Sequence, residues 1–209
     1  MIVAIDGPAG AGKSTVARRL AERLGFRYLD TGAMYRAVTW LAVERSLDLD
    51  DGAALGLLAE EHPVDLDEDG RVTIAAADVT DAIRLAEIDR RVPVVARHPE
   101  VRVVMRRRQR DLADLGNAVI EGRDIGTVVA PDADVKIYLN ADPAVRAQRR
   151  QVERPDIGGD ALATDLRLRD ESDAARMQPA ADAARIDTTQ LDVEDVVDRI
   201  EELVRARVA

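Results

Sequence analysis

Apolar positions along the chain alternate between short β-branched runs and stretches with spacings of three and four. Ile2–Ile5 is such a run and predicts a buried strand at the start of the sheet. A glycine-bearing turn, Gly7–Gly12, follows. Lys13–Leu24 then places Val16, Ala17, Leu20 and Leu24 on one helical face, and Gly25 is a suitable terminator. Phe26–Leu29 predicts a second strand, ended by Asp30-Thr31-Gly32, and Met34–Glu44 a helix. Further on, Ala118–Ile120 and Val135–Leu139 predict central strands. Pro143–Val152 and Ala161–Arg176 predict helices, Arg185–Asp187 a last short strand, and Val193–Val208 an amphipathic terminal helix. Strands alternating with helices imply an α/β fold whose mostly parallel sheet is covered on both faces.

The regular alternation weakens between residues 47 and 96. There Val64–Leu66 and Val72–Ala75 flank Asp67-Glu68-Asp69-Gly70, whose Asp-Gly step signals a hairpin tip. The stretch reads as an insertion with its own hairpin and short helices. Pro99–Leu115 follows as a strongly basic helix.

Composition narrows the function. With 46% hydrophobic and 33% charged residues in 209, a useful core can be buried. Aromatics make up only 2%, so aliphatic side chains must fill that core, with Phe26 and Trp40 expected in it. The 30 Lys and Arg against 40 Asp and Glu leave a net charge of −10. That balance disfavours general nucleic-acid binding and repels anionic membranes. There are no cysteines, which excludes disulfides, thiolate metal sites and a cysteine nucleophile. No secretory leader and no apolar run of about 18 residues is present, so a soluble, cytoplasmic protein is expected. His62 and His98 each adjoin a proline, stand apart, and read as structural.

The chemistry begins at Gly7-Pro8-Ala9-Gly10-Ala11-Gly12-Lys13-Ser14, which fits G-x-x-x-x-G-K-[ST] in full and lies between a predicted strand and a predicted helix. Glycines let successive N–H groups turn toward an anion, and the helix start adds its positive end. ATP is expected along Gly7, Pro8, Ala9, Gly10, Ala11, Gly12, Lys13, Ser14 and Thr15. Lys13 would reach the β- and γ-phosphates, and Ser14 would be the Mg²⁺ ligand. The chain lacks Asn-Lys-x-Asp, which argues against a GTPase, and no strand ends in an Asp-Glu pair of the motor type.

Several further segments carry a resemblance. Asp30-Thr31-Gly32-Ala33-Met34-Tyr35-Arg36 and Glu121-Gly122-Arg123-Asp124-Ile125-Gly126-Thr127 resemble segments of the bacterial cytidylate kinases, a P-loop nucleoside monophosphate kinase family. So do Pro99-Glu100-Val101-Arg102, Arg169-Asp170-Glu171-Ser172-Asp173 with Arg176, and Asp187-Thr188-Thr189. Order and spacing agree from Ile2 to about Val204. The resemblance implies a P-loop NTPase-type sheet with core about 1–46, 97–150 and 177–209. It implies a monophosphate-binding insertion at about 47–96, and a lid at about 149–160 followed by a ligand-contacting helix, 161–176.

The implied reaction is transfer of the γ-phosphoryl group of ATP to CMP or dCMP by a monomeric enzyme. Arg36 and Arg123 would hold the CMP phosphate, with Thr31 and Tyr35 nearby. Asp124 would accept from the cytosine amino group and Arg102 would complement the base's acceptors. Arg169 and Asp173 would contact the ribose and Arg176 a phosphate. Arg149 and Arg150 would act from the lid, catalytic together with Lys13 and Arg123. Arginine suits such work because its planar fork grips phosphate oxygens in pairs.

One position departs from the family pattern. The serine common about nine residues before the arginine matched by Arg102 is Pro93 here. Either the local match shifts, or base recognition rests more heavily on Arg102 and Asp124. Two other readings stay open: a kinase for UMP, shikimate or dephospho-coenzyme A, and a module that binds ATP without turnover.

Overall fold

Five strands form one sheet in the order β2-β6-β1-β7-β8, with β1 Ile2–Asp6, β2 Arg27–Asp30, β6 Ala118–Gly122, β7 Val135–Asn140 and β8 Ala184–Asp187. These are features of a computed structural model, which describes residues 1–67, 70–153, 158–174 and 176–208. Glu68 and Asp69 of the expected hairpin tip and residues 154–157 of the expected lid lie outside that range.

The chain divides into two compact units. Unit 1 comprises Met1–Arg27 with Gly116–Ala209. Within it β1 pairs in parallel with β6 and with β7, and β7 with β8. Val3, Ala4, Ile5, Val119, Ile120, Ile137 and Leu139 are buried, as the near-continuous apolar runs of a parallel sheet require. Helix α1 (Lys13–Leu24) buries Val16, Ala17 and Leu20. The terminal helix α8 (Val193–Val208) buries Val196, Val197, Ile200 and Val204. On their outer faces Arg19 and Arg23 of α1 pair with Glu194, Asp198 and Glu201 of α8.

Register sets the site. Asp6 lies level with Gly122 on β6 and Tyr138 on β7. The turns that follow β1 and β6 therefore start side by side. Asn140 of β7 lies level with Asp187 of β8, which brings the turns after those strands together as well. Helix α6 (Pro143–Glu153) and helix α7 (Gly159–Asp173) complete unit 1.

Unit 2 is Tyr28–Leu115, wider than the weakly patterned stretch 47–96. It holds α2 (Thr31–Glu44), α3 (Gly52–Glu61), α4 (Ala86–Ala96), α5 (Pro99–Ala113) and a small antiparallel sheet of β3 (Asp65–Leu66), β4 (Val72–Ile74) and β5 (Ala77–Asp78). The expected hairpin is there, with β5 as an added strand. Met34, Val38, Leu41, Leu55, Met105 and Leu112 fill its core.

Three local expectations change. Helix α2 begins at Thr31 rather than Met34, because the Asp30 side chain caps it by accepting from the Ala33 N–H at 2.8 Å. Such a cap is worth about 1 kcal/mol. Helix α7 runs Gly159–Asp173 and ends before Arg176. Phe26 and Trp40 are half-buried rather than core. Pro93 sits inside α4, where a proline removes one helical N–H.

Candidate active site

The P-loop is shaped by what its glycines exclude. Gly7 adopts φ 149°, and a Cβ there would stand 2.1 Å from the Leu139 carbonyl oxygen. Gly12 adopts a left-handed φ of 90° and leads into α1 with no side-chain cap. Gly12 thus brings no side chain to the start of α1, the end of a helix that favours an anion. Lys13 is only 6% exposed, and its Nζ donates to the Pro8 carbonyl at 2.8 Å. The ammonium is thereby folded back along the loop that would enclose the phosphates. Ser14 and Thr15 are exposed beside it.

Three buried polar groups tie the segments around this loop together; the sequence motifs single out neither Asp6 nor Arg146, and hold Thr188 only as part of the Asp187-Thr188-Thr189 step. Asp6, 5% exposed, accepts the N–H of Ile125 through one carboxylate oxygen and that of Gly126 through the other, both at 2.8 Å. It thereby hangs the Arg123-Asp124 segment from the strand that carries the P-loop. Burial pushes the Asp6 carboxyl above its ordinary value; the two N–H bonds pull it back, the nearby Asp124 charge raises it and Lys13 lowers it.

Arg146, 6% exposed, donates to the carbonyls of Ala141 and Ala9, each at 3.2 Å, and pairs with Asp170 at 2.8 Å. It joins α6, α7 and the P-loop. Removing Asp170 would leave the buried Arg146 guanidinium without its carboxylate partner, which is destabilising. Thr188 is the third. Its hydroxyl lies 3.1 Å from the carbonyl oxygens of Ala11 and Asn140.

The anticipated arginines of unit 1 fall into two groups. Arg123 Nε bonds Asp173 at 3.0 Å, and Arg176 bonds the other oxygen of Asp173 at 3.2 Å. Asp173 thus gathers two of the arginines expected at a monophosphate. Arg169 stands on the same helix, partly exposed. Asp124 is 8% exposed and precedes the π-type turn Ile125–Val129, which its side chain does not cap. In the second group, Arg149 bonds Thr188, while Arg150 pairs with Glu153.

In unit 2, Thr31 is buried, and Arg36 of α2 pairs at 3.0 Å with Asp30, the N-cap six residues before it. Tyr35 is half-buried, and Arg102 occupies the first turn of α5, its N–H bonded to the His98 carbonyl. The basic run of α5 serves structure as well: Arg107 pairs with Glu60 and Arg108 with Asp65. His98 bonds the Leu49 carbonyl, in keeping with a structural role.

The site combines a phosphate loop with two arginines gathered on one carboxylate at the neighbouring strand end. A model of the cytidylate kinase family matches residues 3–206. The chain belongs to the cytidylate kinase family. This kinase is 48% identical over 214 residues to a cytidylate kinase of Shouchella clausii, a match covering 97% of this chain and 95% of that one. It is 46% identical over 217 residues to a cytidylate kinase of Geobacillus sp. strain WCH70, covering 99% and 97%. A solved shikimate kinase from Bacteroides thetaiotaomicron shares the fold, with TM-score 0.51, 18% identity and 98% of each chain covered. Among the described residues no helix is long and apolar enough to cross a membrane.

Proposed function

We propose that this kinase transfers the γ-phosphoryl group of ATP to CMP or dCMP, giving ADP and CDP or dCDP. The observation that carries the reading is the placement of the Arg123-Asp124 segment, tied by Asp6 to the strand that leads into the P-loop. A donor phosphate on α1 and an acceptor held by Arg123 would then share one strand-end crevice, where ligands of open α/β sheets bind.

Phosphoryl transfer asks for positioning and for charge on the transferring group. The positive end of α1 and Lys13 supply that charge from the loop, and Arg149 and Arg150 supply it from α6. Asp173 holds Arg123 and Arg176 in fixed orientation for the acceptor phosphate, and Arg169 and Asp173 reach the ribose. Asp124 reads the base: a carboxylate accepts from the cytosine amino group and is repelled by the uracil carbonyl. Thr31, Tyr35, Arg36 and Arg102 of unit 2 are further CMP contacts.

Mg²⁺ fits the donor set. Ser14 offers one exposed hydroxyl, and among the described residues no cluster of three His, Cys, Asp or Glu could hold an ion alone. A cation held chiefly by phosphate oxygens and water is what Mg²⁺ prefers, and it would neutralise phosphate charge. The working form is a cytoplasmic monomer.

Phosphorus NMR of ATP and CMP incubated with the protein and Mg²⁺ tests the reading. Growth of ADP and CDP resonances at the expense of both substrates is expected. Inorganic phosphate without CDP would contradict it.

A further inference from the structure

Arg149 belongs to α6, the helix leading into the lid segment, yet it is already docked at the P-loop. Its Nη1 donates to the Thr188 hydroxyl at 2.9 Å and its Nη2 to the Thr188 carbonyl at 2.7 Å. Thr188, 2% exposed, is anchored in turn. Its N–H donates to the Asn140 carbonyl at 2.8 Å, and its hydroxyl lies 3.1 Å from the carbonyls of Ala11 and Asn140. A hydroxyl has one proton to give and lone pairs to receive with. It can therefore donate to a P-loop carbonyl while accepting from the guanidinium. The outcome is visible at Gly12, where an added Cβ would meet Arg149 Nη1 at 3.8 Å. Gly12 stands at the start of α1, so Nη1 lies beside the helix end where a phosphate would bind.

We infer that Thr188 is a positioning residue that presets Arg149 over the P-loop before nucleotide arrives. The inference rests on the proposed kinase reaction. Arg149 then works as a fixed phosphate clamp, and closure of the lid is not needed to deliver it. Two of the five guanidinium protons are spent on Thr188, and the remainder are left for phosphate oxygens. Preset charge costs no reorganisation as the reaction proceeds.

The test is a double-mutant cycle on the full chain with ATP-Mg²⁺ and CMP. Thr188→Val keeps the shape and removes the hydroxyl. It is expected to lower kcat about tenfold. KM for CMP should stay within about twofold, and Thr188→Ser should restore kcat. In an Arg149→Ala background, Thr188→Val should lower kcat no further, because the residue acts through that arginine. An equal loss of kcat in both backgrounds, or unchanged kcat in Thr188→Val, overturns the assignment. If Thr188→Val does not fold, Thr188→Ala and Thr188→Ser enter the same cycle, with thermal unfolding followed in parallel. A loss confined to the unfolding temperature would also overturn it. Absence of wild-type turnover with CMP would instead overturn the kinase reading underneath.

Discussion

Asp6 and Gly126 lie 120 residues apart, yet the Asp6 carboxylate accepts the Gly126 N–H at 2.8 Å while its other oxygen accepts that of Ile125. One side chain thus fixes the turn after β6 to the end of β1. Asp6→Asn keeps the size but leaves one of the two N–H groups facing an amide donor. KM for CMP should rise about tenfold while KM for ATP changes little, as steady-state kinetics with each substrate varied would reveal. Loss of ATP affinity alone would show that Asp6 serves the P-loop instead.

The same carboxyl should leave a pH signature. Burial raises it above its ordinary value of 3.8, so the folded state binds its proton more tightly than the unfolded one. The stability it contributes is present in full below the ordinary value and is lost as pH rises through the raised one. Wild type should therefore lose stability relative to Asp6→Asn as pH climbs across that window. Denaturant unfolding of both proteins on a pH series measures the difference, and parallel curves would refute it.

Gly7 admits no side chain. A Cβ added there would meet the backbone oxygen of Leu139 at 2.1 Å, and that oxygen cannot swing aside. Gly7→Ala should cost about 3 kcal/mol. In a thermal melt that corresponds to a drop of about 10 °C. An unchanged melting temperature would mean that β7 yields more readily than its buried position suggests.

Base choice should shift at Asp124. Asp124→Asn presents a donor as well as an acceptor, so uracil is no longer repelled. The ratio of kcat/KM for CMP over UMP should fall by about tenfold or more. An unaltered ratio would assign base reading elsewhere, with Arg102 as the next residue to replace.

Much of the fold and site is legible in the sequence because it is local. The P-loop declares itself through glycine spacing and the lysine that follows. The alternation of apolar runs and helical stripes places nearly every element of the main sheet. What the sequence hides depends on long-range pairing. Asp6 reads as the last polar residue of a strand until Ile125 is seen beside it. Arg146 looks like one more arginine on a basic helix, although it is the one buried against Ala9 and Asp170. Thr188 belongs to a recognisable Asp-Thr-Thr step, but its partners Ala11 and Arg149 come from two other segments. One shift is local instead: Asp30 ends β2 and also caps α2 through Ala33, three residues on, so α2 starts earlier than its apolar pattern predicts.

Acceptor-dependent ADP release tests the central claim most directly. Purified protein with ATP and Mg²⁺ would be offered CMP, dCMP, UMP, AMP, GMP or no acceptor in parallel. The account predicts strong turnover with CMP and dCMP, weaker turnover with UMP and almost none otherwise. ADP release that is indifferent to any of the pyrimidine monophosphates would contradict it.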